Sequence, residues 1–449
     1  MAAFCRACTV ASVARTSDQR ADAVVIGAGI IGASAALELA RSGRSVVCVD
    51  LGPGPGAGST SASSALIRFS YSTIDAVLTA WESAPYWTRW ADHLGVVDPD
   101  GMAGFVRTGM LIIDEPDGIM RRVTTLWDDV GVPYERLEPD ELARRVPSLD
   151  VGSFFPPKTV DDPAFGDDAT ARVGAVLDPN AGYVDDPLLA ARNVAHAAGH
   201  HGAEFRFRER VTRVLRDEHR VLGVELASGR SVTAPVVVNA AGPHSSQLNR
   251  LADVTGDMRI GQRCLRQEVF VVPAPGEVSL EAGMPIVIDL DLGQYFRPQP
   301  GHTLLVGGTE ALCDPLDWID DPDQFDEHPT VERFETTALR LSRRVPSVGV
   351  PHRPAGLAAL YDVADDWVPI YDKSNLDGWF MACATSGNQF KNAPLAGKFV
   401  RALVDAAAEG RDHDRDPVQF EGELTHRTID LSAFSRRRDP AQTSGTVMG

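Results

Sequence analysis

The chain has 449 residues, 44% hydrophobic and 23% charged, with a formal net charge of −19; it is longer than the roughly 250–300 residues that one core sustains, so two domains are expected. The acidic balance excludes a nucleic-acid partner, which requires a concentrated basic surface, and no apolar run approaches the ~20 residues of a membrane span. Six scattered cysteines read as the reduced thiols of a cytoplasmic protein rather than as a disulfide framework.

In chain order, residues 1–20 set arginines among Ala, Ser and Thr without a long apolar core and are expected to be a disordered extension. The pair Cys5 and Cys8 within it has no partner pair, and no metal is assigned. Ala23–Ile26 is a charge-free apolar run, Gly27-Ala-Gly29-Ile-Ile-Gly32 interrupts it, helix formers run from Ala33 to Ser42, and Val46–Val49 closes in Asp50. That is a strand, a glycine turn, a helix and a second strand, with an acid 18 positions beyond Gly32. It is the βαβ pattern of a dinucleotide cradle. Gly27 allows the tight turn, Gly29 the approach of a pyrophosphate, and Gly32 the packing of helix on strand, with helix-end N–H groups facing the phosphates; Ile30 and Ile31 within the turn are counted among the cofactor-binding residues, and Asp50 is placed for a ribose hydroxyl.

Residues 52–58 are too rich in Pro and Gly for regular structure, and Ser59-Thr60 through Ser63-Ser64 form a small hydroxyl-bearing loop leading into a buried segment at Ala65–Arg68. A tryptophan-rich helix broken by Pro85 spans Asp75–His93, and Gly109–Asp114, Pro116–Asp129 and Glu138–Leu142 suggest a smaller α+β unit. Pro187–Gly199 reads as a helix, Ala203–Arg206 as a strand, Arg210–Leu215 with Val221–Leu226 as a hairpin, and Val236–Asn239 as a buried strand feeding Ala241-Gly242 and a helix at Ser245–Leu251. Short strands at Gln267–Pro273, Pro285–Asp289, Gly293–Arg297 and Thr303–Gly308 predict an antiparallel sheet, followed by an exposed acidic loop at Asp314–His328 and a helix at Thr330–Arg344. A last strand, Trp379–Cys383, runs into a turn-rich stretch to Lys391 and a helix at Pro394–Ala408. Arg436–Arg438 is expected to be a solvated run, with disorder beyond Pro440. His244 and the His200–His201 pair read as solvated or capping histidines.

Four stretches, GAGIIG at the start, GSTSASSALIRFSY from Gly58, VVVNAAGPHS from Val236 and CATSGNQFKNAPLAG from Cys383, together resemble the D-amino acid oxidase superfamily of FAD-dependent oxidoreductases. Within it the look is nearest to monomeric sarcosine oxidase and the sarcosine oxidase β-subunit. The resemblance implies an α/β fold with an α+β second domain: a discontinuous Rossmann-type FAD domain (21–85, 150–250 and 350–430), an antiparallel-sheet substrate domain (86–149 and 251–349) and a flexible tail (431–449).

It also implies non-covalent FAD, held by the cradle, by Ser59, Thr60, Ser63 and Ser64, by Ala241 and Gly242, and by Gly387, Asn388, Gln389, Phe390 and Lys391. Arg68 and Lys391 match the family's substrate-carboxylate pair, a planar fork and a point charge suited to one carboxylate. Tyr295 and Arg297 alternate on one strand face and are counted as candidate site residues, while Tyr361 falls at an aromatic position lining the family's pocket. The family's flavin-tethering cysteine falls at Ala359, its oxygen-activating lysine near Leu305 and a pocket histidine at Asn388. The implied activity is oxidation of the carbon–nitrogen bond of an amino acid, an N-methyl or other secondary amine, by hydride transfer to flavin N5 and hydrolysis of the imine, with oxygen or a redox partner as acceptor. The alternatives are a 2-hydroxy acid dehydrogenase on the same fold and a flavin-binding subunit or assembly factor without turnover.

Overall fold

The computed structural model describes residues 19–114 and 118–449. Most of the N-terminal extension, the Cys5–Cys8 pair and Pro116 lie outside the described residues.

The strand Ala23–Ile26 sits near the middle of a six-stranded sheet, ordered Glu204–Arg206, Val46–Val49, Ala23–Ile26, Val236–Asn239, Trp379–Cys383, Ile370–Lys373. All neighbours pair in parallel except the last two strands. A parallel strand covered on both faces must be apolar throughout, and every residue of Ala23–Ile26, Val46–Val49 and Trp379–Cys383 is buried. The helix Ile30–Arg41 lies buried along nearly its whole length between the helices Pro187–His200 and Ala393–Ala408. It starts three residues earlier than expected, because the backbone turns helical directly after Gly29.

A second, nine-stranded sheet runs from Asp317–Ile319 through Gln262–Pro273, Thr303–Gly308, Gln294–Gln299, Ile286–Asp289, Met110–Ile113 and Ala175–Asp178 to Glu135–Leu137, with Gly356–Ala364 paired to Gln262–Pro273. Its pairs are antiparallel except for Ile286–Asp289 beside Met110–Ile113, which run parallel. The helix Val331–Arg344 packs on this sheet, and its fully buried Arg344 is clamped by Asp289 at 2.7 Å and Asp291 at 2.9 Å. The fold class is therefore as expected: a Rossmann-type dinucleotide unit joined to an antiparallel-rich sheet.

Several local expectations are corrected. Pro85 does not break its helix, which runs Ile74–Thr88 and ends at Arg89. The acidic loop contains a short strand, Asp317–Ile319, and the strands Gly356–Ala364 and Ile370–Lys373 were not foreseen. The arginine run is solvated only at Arg437, which is exposed; Arg436 is fully buried and pairs with Asp257 at 2.5 Å, Asp372 at 3.0 Å and Asp414 at 2.9 Å. Arg438 pairs with Asp366 at 2.7 Å. Four carboxylates from three distant segments turn a basic tail into an anchor, since a buried guanidinium is tolerated only when its charge is matched. Beyond that anchor the chain does not stray but runs back across the molecule to the site.

Candidate active site

The cradle is shaped by what it leaves out. Gly27 has φ +105°, and a Cβ there would lie 2.2 Å from the carbonyl oxygen of Ala240; at Gly32 it would lie 1.9 Å from that of Gly27. No side chain fits at either place, so the strand ends at Ile26 and Asn239 close on one another and leave backbone facing the helix start. Gly29 caps the helix without a side-chain hydrogen bond, and the first turn carries no acid, which leaves the positive end of the helix open to an anion. The side chains of Ile30 and Ile31 belong to the core, so only their backbone can face a ligand. The amide of Ile30 donates to Thr60 Oγ1 at 3.1 Å, fastening the hydroxyl loop to the cradle. Asp50 accepts from the amides of Ala28 at 2.5 Å and Gly52 at 2.6 Å, bracing the same turn.

The rest of the hydroxyl loop reaches the second sheet. Ser59 Oγ donates to the carbonyl of Leu360 at 2.7 Å, and Ser64 Oγ shares a short hydrogen bond with Tyr295. Ser63 accepts from the amide of Ala65. Ala241 and Gly242 open a single helical turn after the strand Val236–Asn239. Gly387, at φ +67°, lies so close under the Tyr361 ring that a Cβ would meet it at 2.4 Å. Gln389 accepts from Tyr371 at 3.1 Å and Asn392 at 2.8 Å, and Phe390 stacks on Trp87 at 5.3 Å. These bonds set the loop that carries Lys391.

Arg68 and Lys391 are both buried, at 4% and 3% exposure, and among the described residues no carboxylate lies within ion-pair distance of either. Arg68 donates to the carbonyls of Ser70, Val447 (2.6 Å) and Met448 (3.2 Å). Lys391 donates to Tyr71 Oη at 2.9 Å and to the carbonyl of Asn388 at 2.6 Å. Burial, with Arg68 adding to it, pushes the lysine ammonium well below its ordinary pKa; burial raises the Tyr71 hydroxyl to about 12 and Tyr361 well above its usual value. Two cations held out of water with no counter-charge make a site that an incoming carboxylate would stabilise.

Tyr295 and Arg297 share one face of their strand. Arg297 lies over the Tyr183 ring at 4.1 Å, and its Nε has no hydrogen-bond partner. The sequence-picked residues are thus gathered into one region, the cradle at one end and Arg68, Lys391, Tyr295 and Tyr361 at the other.

Two features escaped the sequence reading. Glu310, two residues past the strand Thr303–Gly308, belongs to the same cluster, and burial pushes its carboxyl up to about 8. The segment Thr443–Gly449 also belongs to it: Val447 donates to Glu310 at 2.7 Å, Gly449 accepts from Ser72, and Met448 is buried. An acid just past an apolar strand, and a polar tail, carry no local signal of such a role. His244 is half-exposed and bonds Asp323 at 2.9 Å, away from this cluster.

Fold and cradle together define a Rossmann-type dinucleotide-binding protein. The family model for FAD dependent oxidoreductase matches residues 22–403, and the chain belongs to that family. It is 25% identical to FAD-dependent oxidoreductase domain-containing protein 1 of Xenopus laevis, over 94% of this chain and 83% of that protein. It is likewise 25% identical to glycine oxidase of Geobacillus kaustophilus, over 86% of this chain and 93% of that one. Among solved structures, L-proline dehydrogenase from P. horikoshii superposes with a TM-score of 0.73 at 21% identity, covering 94% of this chain and 98% of that one. The cofactor of the family is FAD, and the Gly27–Gly32 turn fits it, offering backbone where a pyrophosphate must approach.

The protein is accordingly an FAD-dependent oxidoreductase. No helix among the described residues is long and apolar enough to cross a membrane.

Proposed function

We propose that the protein oxidises the carbon–nitrogen bond of a small α-amino acid, with a secondary amine such as an N-methyl amino acid as the preferred class, on the sarcosine oxidase pattern. The observation that carries this reading is the pair Arg68 and Lys391, two buried cations without a carboxylate partner, on segments 323 positions apart that meet beside the cradle. A planar fork and an ammonium suit the two oxygens of one carboxylate.

The cradle, the 59–64 loop, Ala241–Gly242 and the 387–391 loop would hold FAD, and the strand carrying Tyr295 and Arg297 would close the pocket. When bound, FAD supplies the two-electron oxidant. This chain's residues do the rest: Arg68 and Lys391 fix the carboxylate, so that the α-carbon can settle in only one place. Tyr361, pressed over Gly387, and Tyr295, tied to Ser64, wall that place off from water. With Leu305, Ala359 and Asn388 where the sarcosine oxidase pattern has lysine, cysteine and histidine, the cofactor would be bound non-covalently, and oxygen or a redox partner would take the electrons.

The test is the visible spectrum of the purified protein, mixed anaerobically with N-methyl amino acids, unsubstituted amino acids and 2-hydroxy acids, then opened to air. Bleaching by an amino acid is expected, and recolouring in air identifies oxygen as the acceptor. Bleaching by hydroxy acids alone, or by nothing in the panel, overturns the reading.

A further inference from the structure

We propose that Glu310 binds the nitrogen of the substrate, opposite the carboxylate anchor Arg68, and that this pairing confines the site to α-amino acids; the inference rests on the amino-acid reading above. The structure carries its own ruler for the site. The N–H of Val447 donates to Glu310 Oε2 at 2.7 Å, and the carbonyl of the same residue accepts from Arg68 Nη2 at 2.6 Å. Acid and guanidinium are thus spaced to hold the nitrogen and a carboxyl-type oxygen on either side of one Cα. An α-amino acid presents the same two atoms at the same separation, so it can replace Val447 atom for atom.

Glu310 is held in that position rather than resting there. Its other carboxylate oxygen accepts from Gln267 Nε2 at 2.9 Å, which fixes the plane of the carboxylate. Its backbone is left-handed, φ +54°, a conformation that non-glycine residues adopt rarely and that recurs where a side chain must be aimed. The charged and titratable groups facing it are Arg68, Arg333, Asp314, Tyr295 and Tyr361, and among the described residues no lysine or arginine forms an ion pair with it. Glu310 faces Arg68 but forms no ion pair with it; Val447 lies between them, bonded to both. A zwitterion laid between them satisfies both, whereas a 2-hydroxy acid offers the acid only a neutral hydroxyl.

The test compares Glu310→Gln and Glu310→Asp with the wild type as anaerobic holoenzymes, titrated calorimetrically with N-methylglycine, glycine and L-proline, and with methoxyacetate as a carboxylate that has oxygen in place of nitrogen. For each amino acid that binds the wild type, Glu310→Gln is expected to weaken binding about 10- to 100-fold, the span for losing a hydrogen bond to a charged group. Methoxyacetate should change by less than about 3-fold, since it makes no such bond, and Glu310→Asp should recover part of the loss. Equal binding of the amino acids by wild type and Glu310→Gln overturns the inference and leaves the functional reading standing. So does a parallel loss of amino acids and methoxyacetate, which would mark Glu310 as merely structural. Binding of methoxyacetate but of no amino acid by the wild type, or of neither, overturns the functional reading and this inference with it.

Discussion

Between Gly27 and Gly32 the protein presents backbone and excludes side chains, whereas around Arg68 and Lys391 it does the reverse. At the cradle, two carbonyls sit where any Cβ would collide, and the ligand-facing groups are amides at a helix start. At the substrate end, side chains from distant segments converge, and even the segment Thr443–Gly449 contributes, because Arg436 and Arg438 anchor the chain just before it. The two ends therefore fail differently: the cradle by adding atoms, the anchor by deleting charge.

The largest effect should come from adding atoms. Gly27→Val puts a branched side chain at φ +105° against the Ala240 carbonyl and should cost about 3 kcal/mol in strain and overpacking. Loss of bound flavin, read from the ratio of visible to protein absorbance, together with a lowered Tm, is the expected result; normal flavin content would break the contrast between the two ends. Arg68→Met deletes charge without adding bulk, since the side chain is buried and paired with backbone carbonyls and the Ser70 hydroxyl rather than with a carboxylate. Flavin content should stay intact while binding of carboxylate substrates weakens about 100-fold, as for loss of charge-assisted hydrogen bonds. Joint loss of flavin and substrate would show that the ends are not separable.

A third effect lies at the seam between the two ends. Asp362, buried in the strand Gly356–Ala364, accepts from the amide of Ala384 at 2.5 Å as the chain leaves the cradle sheet, and burial raises its carboxyl to about 7. A carboxyl raised on folding keeps its proton in the native state while the unfolded chain has already lost it. Its contribution is therefore fully present below the ordinary carboxyl pKa and is lost as pH rises through about 7. Denaturant unfolding should show stability falling toward pH 7 by at most about 1.4 kcal/mol per pH unit from this group, and Asp362→Asn should flatten that slope. An unchanged slope would remove Asp362 from the seam's electrostatics.

How legible each end was follows from how it is made. The strand Ala23–Ile26, the turn, Val46–Val49 and the helix at Ser245–Leu251 were readable because period, glycine spacing and helix limits are local properties of neighbouring residues. Arg68 and Lys391 were found only through the stretches around them, since nothing in either residue announces a shared target. Glu310 and Val447 left no trace, because their meaning lies in a contact across more than a hundred positions. Arg436 was misread for the same reason: an arginine run looks solvated until Asp257, Asp372 and Asp414 are brought round it.

By itself, then, the sequence determined the cradle, the class of fold and the family, because a turn that must admit backbone and exclude Cβ atoms dictates its glycines one by one. Only the tertiary structure decided which charges go unmatched. Whether Arg436 is an anchor or a solvated residue, and whether Glu310 is a surface acid or a buried one facing Arg68 across Val447, depends on which distant groups share their low-dielectric surroundings, and that is a property of the packed chain rather than of any stretch of it.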